Sequence, residues 1–159
     1  MARARPKKSP HTLRPDLEGL DVQATVDVLN RILELELAGI VRYLHYSFMV
    51  FGHDRIPLCA WLRLQADEGR LHAITVGEHI TGLDGHPSLR IGELLETYKH
   101  STDDILREAA IHEREALDEY RRLLSIVADK SIMLEEFART QIATEEQHLS
   151  EIAKMMRKA

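Results

Sequence analysis

From Val22 to Phe51 the sequence holds no proline and a single glycine, and Gly52 ends the run. With Asp21 placed to cap its start, this stretch predicts a helix of about 30 residues, roughly 45 Å long at 1.5 Å per residue. Leu29, Leu33, Ile40 and Tyr43 share one face, while Ile32, Leu35, Val41, Leu44, Phe48 and Phe51 spread apolar surface over the others. A helix apolar around most of its circumference needs more than one neighbour. One side is expected in a bundle core and another against a second subunit.

Three more helices follow from the same signals. Pro57 suits the first turn of a second helix running through Trp61, Leu62, Leu64, Leu71, Ile74 and Val76 to about Thr81, where Gly82 and Gly85 break the pattern. A long link, ending in the mixed segment Arg90 to His100, leads to a third helix from about Ser101 to Val127. After the short turn Asp129-Lys130-Ser131, a fourth helix starts at Ile132 with Leu134, Phe137, Ile142, Leu149 and Ile152 as its buried stripe. Two short connections and one long one predict an all-α four-helix bundle, one domain over residues 21–159, with a long crossover between helices two and three.

Composition narrows the chemistry. The one cysteine, Cys59, excludes an intramolecular disulfide and any Cys-x-x-Cys zinc or rubredoxin-type iron site, and fits a reducing compartment. There is no apolar run of about 18 residues and no apolar signal-peptide core, so a cytoplasmic location without a membrane is expected. The net charge of −5 is uneven. Arg3, Arg5, Lys7, Lys8 and Arg14 stand in residues 1–15 without an acid, leaving 16 basic against 26 acidic side chains beyond them. Residues 1–20 therefore read as a basic, disordered arm, and residues 1–15 could engage DNA phosphates.

The acidic body carries a pattern. Glu145 and His148, three apart on helix four, project within about 60° of each other. Glu68 and His72, four apart on helix two, do the same. Glu36 on helix one and Glu113 on helix three are each followed seven residues later, about 20° away around the helix, by Tyr43 and Tyr120. The chain thus reads as a doubled helical hairpin, each half offering a lone carboxylate and a carboxylate with a histidine. Four inward glutamates would repel one another and be costly to bury. Two divalent cations balance them, and oxygen-rich ligands with one imidazole per metal suit iron or manganese. Tyr43 and Tyr120 are expected to hydrogen-bond the ligand carboxylates. His45, His79, His100 and His112 are read as non-ligands.

Together, Leu35-Glu36-Leu37-Ala38-Gly39-Ile40-Val41-Arg42-Tyr43, Ala66-Asp67-Glu68-Gly69-Arg70-Leu71-His72-Ala73, the Gly85-His86-Pro87-Ser88-Leu89 loop, Glu113 with Tyr120, and Glu145-Glu146-Gln147-His148 resemble the ferritin-like superfamily. The bacterioferritin-type proteins are the most similar branch. The resemblance covers about Asp21 to Met156 and implies an intrasubunit di-iron centre, oxidation of Fe(II) by O2 or H2O2, and assembly into a shell that stores iron. By position it implies Glu36, His72, Glu113, Glu145 and His148 as ligands. The family's helix-two Glu would fall at Gly69, so Glu68, one residue early, is the nearest carboxylate, brought into line directly or by a π-bulge, with Asp67 as the alternative. The family's haem methionine falls at Arg70, so haem is not expected. The sequence ends too soon after His148 for a fifth helix, which favours a 12-subunit cage or a dimer over 24 subunits.

The function this implies is a ferroxidase for iron storage and detoxification. The rivals are a Dps-like protein whose arm binds DNA during peroxide protection, a di-manganese or di-iron enzyme such as a catalase that stores no mineral, and a bundle whose polar residues only specify register.

Overall fold

The computed structural model describes residues 17–157 apart from residue 95. Residues 1–15, on which the DNA reading depends, lie outside the described residues. Among the described residues four helices account for the regular structure: α1 Val22–Met49, α2 Arg55–Gly82, α3 Thr102–Val127 and α4 Ile132–Met155. Among the described residues there is no strand, and no helix is long and apolar enough to cross a membrane. Three helices are capped by the residue before them. The Asp21 carboxylate accepts from the Ala24 N–H at 3.0 Å, the Ser101 hydroxyl from Asp104 at 3.1 Å, and the Ser131 hydroxyl from Leu134 at 3.4 Å. Each cap satisfies an N–H that has no partner within its own helix and is worth about 1 kcal/mol. α1 stops two residues before the expected Phe51, because Val50 turns extended and enters the core while Phe51 stays outside. At the other end, Leu20 is buried and Leu17 packs beside it, so residues 17–20 belong to the body rather than to an arm.

Residues 50–54 and 128–131 form the short connections, and residues 83–101 form the crossover. α1 packs against α2 and α3, and α3 against α4. The core is in two parts. Leu29, Ile32, Val76, Ile80, Leu123 and Leu134 fill one end of the bundle. Tyr46, Leu62, Ile105, Leu106, Ala109 and Ile152 fill the other. Along every helix the expected metal-binding positions fall between these two plugs. Glu36 lies between Leu33 and Tyr43, His72 between Ala66 and Ala73, Glu113 between Ala109 and Tyr120, and Glu145 between Ala138 and Ile152. Fully burying each Leu or Ile contributes about 1.5–3 kcal/mol, so the apolar plugs can offset the cost of a polar middle layer.

On α4 the deepest stripe is Leu134, Ala138, Gln141, Glu145 and Ile152. Phe137, Ile142 and Leu149, expected on the stripe, are half-buried at its margins. The helix turns its polar residues inward here, which apolar periodicity alone does not register.

The crossover is docked on α1. The Asn30 amide donates to the His86 carbonyl at 3.1 Å and its oxygen accepts from the Ser88 N–H at 2.7 Å. Ser88 and Arg90 both donate to Glu34 Oε1, at 2.6 and 3.0 Å. The Gly92 N–H then donates to the Glu34 carbonyl at 2.8 Å. A Cβ on Gly92 would stand 2.9 Å from that same carbonyl oxygen, so this close approach requires glycine. In the single chain, Val41, Leu44 and Phe48 of α1 and Leu64, Leu71 and Ile74 of α2 remain exposed.

Candidate metal centre

Between the two plugs the structure brings together Glu36, His72, Glu113, Glu145 and His148. The three carboxylates are 7%, 5% and 3% exposed for Glu36, Glu113 and Glu145, and the imidazoles are only slightly more open. They form two donor groups: Glu36, His72 and Glu145, and Glu113, Glu145 and His148, each with its ligand atoms within 4.8 Å of one another. His72 Nδ1 lies 3.4 Å from Glu36 Oε1 and 3.9 Å from Glu145 Oε1. His148 Nδ1 lies 3.2 Å from both Glu113 Oε2 and Glu145 Oε2. Glu145 is thus common to both groups, one oxygen facing each.

Glu68 stands apart from both groups. Its Oε1 is 3.9 Å from His72 Nε2 and its Oε2 is 3.3 Å from His148 Nε2. It faces the far nitrogen of both rings, the side turned away from the buried carboxylates. α2 brings position 69 instead toward the first group: a Cβ on Gly69 would meet Glu36 Oε2 at 3.4 Å. Asp67 is exposed and belongs to neither group.

The tyrosines cross between the halves. Tyr120 on α3 donates to Glu36 Oε1 on α1 at 2.6 Å, and Tyr43 on α1 donates to Glu113 Oε1 on α3. Burial and the Glu36 charge hold the Tyr120 hydroxyl well above its usual range, so it stays a proton donor. Burial raises Glu36, against the pull of His72. Glu145 is pushed up to about 8, first by burial and then by Glu113, with His148 opposing. Burial alone would lower His148, but the hydrogen bonds and charges of Glu113 and Glu145 push it up to about 10. For His72, burial is likewise outweighed, chiefly by Glu36, and its pKa is raised.

His112, set aside on sequence, lines the same cavity. Its Nδ1 is 3.4 Å from Arg42 Nη1, and Arg42 Nη2 donates to the Glu108 carbonyl at 3.2 Å. Burial and then the Arg42 charge lower His112 to about 4. A neutral ring accepting from Arg42 at Nδ1 carries its proton on Nε2. The polar neighbours Arg114 and Glu115 hid this position; the signal was its place next to Glu113 on the inward face. His45 and His100 also meet, with Glu96, outside the bundle centre. His79 rests against the Phe137 ring, 4.5 Å between centroids, and burial lowers its pKa.

A family model described as a ferritin-like domain matches residues 26–159. The chain belongs to the ferritin-like family. Its fold is shared by a ferritin-like, diiron-carboxylate protein of Bacillus anthracis, with a TM-score of 0.81 and 23% identity over 86% of this chain and 98% of that one. The bacterioferritin-related protein of Bacteroides fragilis, a dodecameric thioferritin, superposes with a TM-score of 0.81 at 24% identity, covering 87% of this chain and 88% of its own. A Desulfovibrio desulfuricans bacterioferritin with a diiron site gives 0.77 at 22% identity, over 85% and 79%. No curated protein sequence matches this ferritin-like chain.

In this ferritin-like bundle the donors suit two small, hard cations. Three buried carboxylates beside two imidazoles favour bound protons, and burial and the neighbouring carboxylates raise Glu145 and His148 accordingly. Divalent cations would replace those protons and satisfy the same oxygens and nitrogens. The space among the donors is about 20 Å³, which accommodates a water-sized occupant and no organic substrate.

Proposed function

We propose that the chain is a ferroxidase that oxidises Fe(II) with O2 or H2O2 at this intrasubunit centre, for iron storage and detoxification in a homo-oligomeric shell. The observation that carries the reading is the double role of Glu145: one buried carboxylate joins two donor groups, each with its own imidazole and its own second carboxylate. Two Fe(II) ions held side by side each give up one electron. Dioxygen takes the pair with two protons and leaves as H2O2, or H2O2 takes the pair with two protons and leaves as two waters. A hard anionic shell favours Fe(III) over Fe(II), which drives the transfer. Glu36 and Glu113 each hold one metal position, and Tyr120 and Tyr43 fix their orientation. The small cavity favours iron and a diatomic or peroxide oxidant over a bulkier substrate.

Within this reading Glu68 is the least buried of the six residues proposed to build the centre. Its carboxylate stands 3.3 Å from His148 Nε2 and 3.9 Å from His72 Nε2, a negative charge behind both rings that favours their Nδ1 atoms facing the metal positions. The exposed apolar residues of α1 and α2 support self-association. A dodecameric cage or a dimer is the proposed assembly, the former in keeping with the Bacteroides fragilis relative. Manganese in place of iron, as in a catalase-type reaction, fits the same donors and is the second reading.

The test is aerobic addition of Fe(II), with ferric absorbance followed for the native chain and for a Glu145→Ala, His148→Ala variant. The native chain is expected to oxidise iron many-fold faster than buffer alone. Equal initial rates for chain and variant would remove the assignment.

A further inference from the structure

A second set of ligating side chains converges where the crossover passes α1. Glu96 Oε2 lies 3.2 Å from His45 Nε2, and Glu96 Oε1 lies 3.5 Å from His100 Nε2. The two imidazoles meet edge-on, 5.7 Å between centroids, and the three side chains place ligand atoms within 4.8 Å of one another. His45 Nε2 is itself buried, yet it has no hydrogen-bond partner. The Glu96 oxygen is within range but outside the direction in which the ring nitrogen bonds, a geometry that leaves a buried polar atom unsatisfied.

We propose that His45, Glu96 and His100 form a cation site, separate from the bundle centre, for a borderline divalent ion of the Zn2+ class. A cation among the three donors satisfies the His45 nitrogen and uses a lone pair from each of the others. The donor chemistry differs from that of the centre: two imidazoles and one carboxylate, three protein ligands in all, with the remaining position open to water. Mg2+ and Ca2+ prefer all-oxygen surroundings, so this set selects against them. The side chains are 41%, 40% and 23% exposed for His45, Glu96 and His100, which gives an ion direct access from solvent.

The surroundings hold the carboxylate in place. Glu96 Oε1 accepts from the Tyr98 N–H at 2.8 Å, and neighbouring Thr97 donates to Glu108 on α3. Asn30 and Glu34 already fasten the first part of the crossover to α1; this site fastens its last part, about three helical turns further along α1 than Glu34. A bound ion would therefore clip the crossover down. The proposal does not depend on the redox chemistry of the centre.

The experiment uses metal-free full-length chain and Zn2+ alone, with equilibrium dialysis of the native sequence against a His45→Gln, His100→Gln variant. The variant is expected to bind one Zn2+ fewer per chain, and to oxidise Fe(II) at the native rate. The same count is made in a Glu145→Ala, His148→Ala background, where zinc held at the centre no longer contributes. As an independent readout, Zn2+ is expected to slow proteolytic cleavage within residues 89–101 of the native chain and not of the variant. Equal zinc uptake with and without the two histidines, together with equal cleavage, overturns the proposal, and Co2+ substitution gives a visible-absorption check on the same comparison.

Discussion

Tyr120 on α3 donates its hydroxyl proton to Glu36 Oε1 on α1 at 2.6 Å, so a side chain from one half of the molecule orients a carboxylate from the other. Tyr43 returns the relationship toward Glu113. Each carboxylate otherwise meets only an imidazole or another carboxylate, and its rotamer is set by the phenol. Tyr120→Phe keeps the packing and removes that donor from a fully buried position. Loss of one buried partner costs about 1–3 kcal/mol, and loss of a hydrogen bond supporting a ligand lowers metal affinity or activity about 10–100-fold. The expected outcome is a lower denaturation midpoint and a slower initial phase of Fe(II) oxidation, with Tyr43→Phe giving a similar loss. Native rates in both variants would separate the tyrosines from the reaction.

Glu145 and Glu68 are predicted to fail in different ways. Glu145→Gln removes charge from both donor groups at once, so anaerobic titration with Fe(II) or Co2+ is expected to show neither position filled tightly. Glu68→Gln leaves every buried carboxylate in place and removes only the charge behind the two imidazoles. It should retain two ions per chain with affinity reduced about 10–100-fold. Identical titrations for the two variants would mean that Glu68 ligates the ions directly.

The helices and their order were legible because apolar spacing, Asp21, Ser101, Ser131 and the glycines at 52 and 82 all mark the same boundaries. The convergence of Glu36, His72, Glu113, Glu145 and His148 was legible too, since helical spacing carries a side chain's direction over many residues. Other features had no such carrier. Helical phase puts Glu68 and His72 on one side of α2 but does not say which ring nitrogen the carboxylate meets. His112 reads as surface among Arg114 and Glu115, its place beside Glu113 being a weak signal, and its packing against Gly39 shows its depth. His45 is helical, but Glu96 and His100 lie on an irregular crossover with no periodicity to pair them, so their meeting depends on tertiary docking through Asn30 and Glu34.

Two glycines in the first helical pair should respond to alanine with opposite signs. A Cβ at Gly39 would stand 2.6 Å from His112 Nε2, and His112 is held by Arg42 at 3.4 Å and packs edge-on to the Tyr43 ring. With no room to retreat, Gly39→Ala is expected to destabilise by about 1–3 kcal/mol. Gly77 is also inside a helix, and a Cβ there meets nothing within 4 Å. Gly77→Ala should stabilise by about 0.5–1 kcal/mol through the smaller backbone entropy of alanine. Urea denaturation midpoints of the two variants against the native chain decide both signs.

The metal-free chain should lose stability as pH rises, and cation binding should reverse the trend. Glu145 ionises near 4.5 in the unfolded chain and near 8 in the fold, so between those values the folded state holds the extra proton. Stability therefore falls as pH rises through that interval. His148 acts in the same direction: raised from 6.5 to about 10, it contributes fully below 6.5 and loses its contribution as pH rises through 10. Incoming cations need Glu145 ionised and His148 neutral, so their affinity grows as those protons become easier to remove. The gap in melting temperature between Co2+-loaded and metal-free chain is thus expected to widen from about pH 6.5 to about pH 8. In the Glu145→Ala, His148→Ala variant that pH-dependent gap should largely disappear. A metal-free melting temperature that rises over the same interval in the native chain, and stays flat in the variant, would mean that the fold holds fewer protons at this pair than the unfolded chain does, with His148 neutral rather than charged.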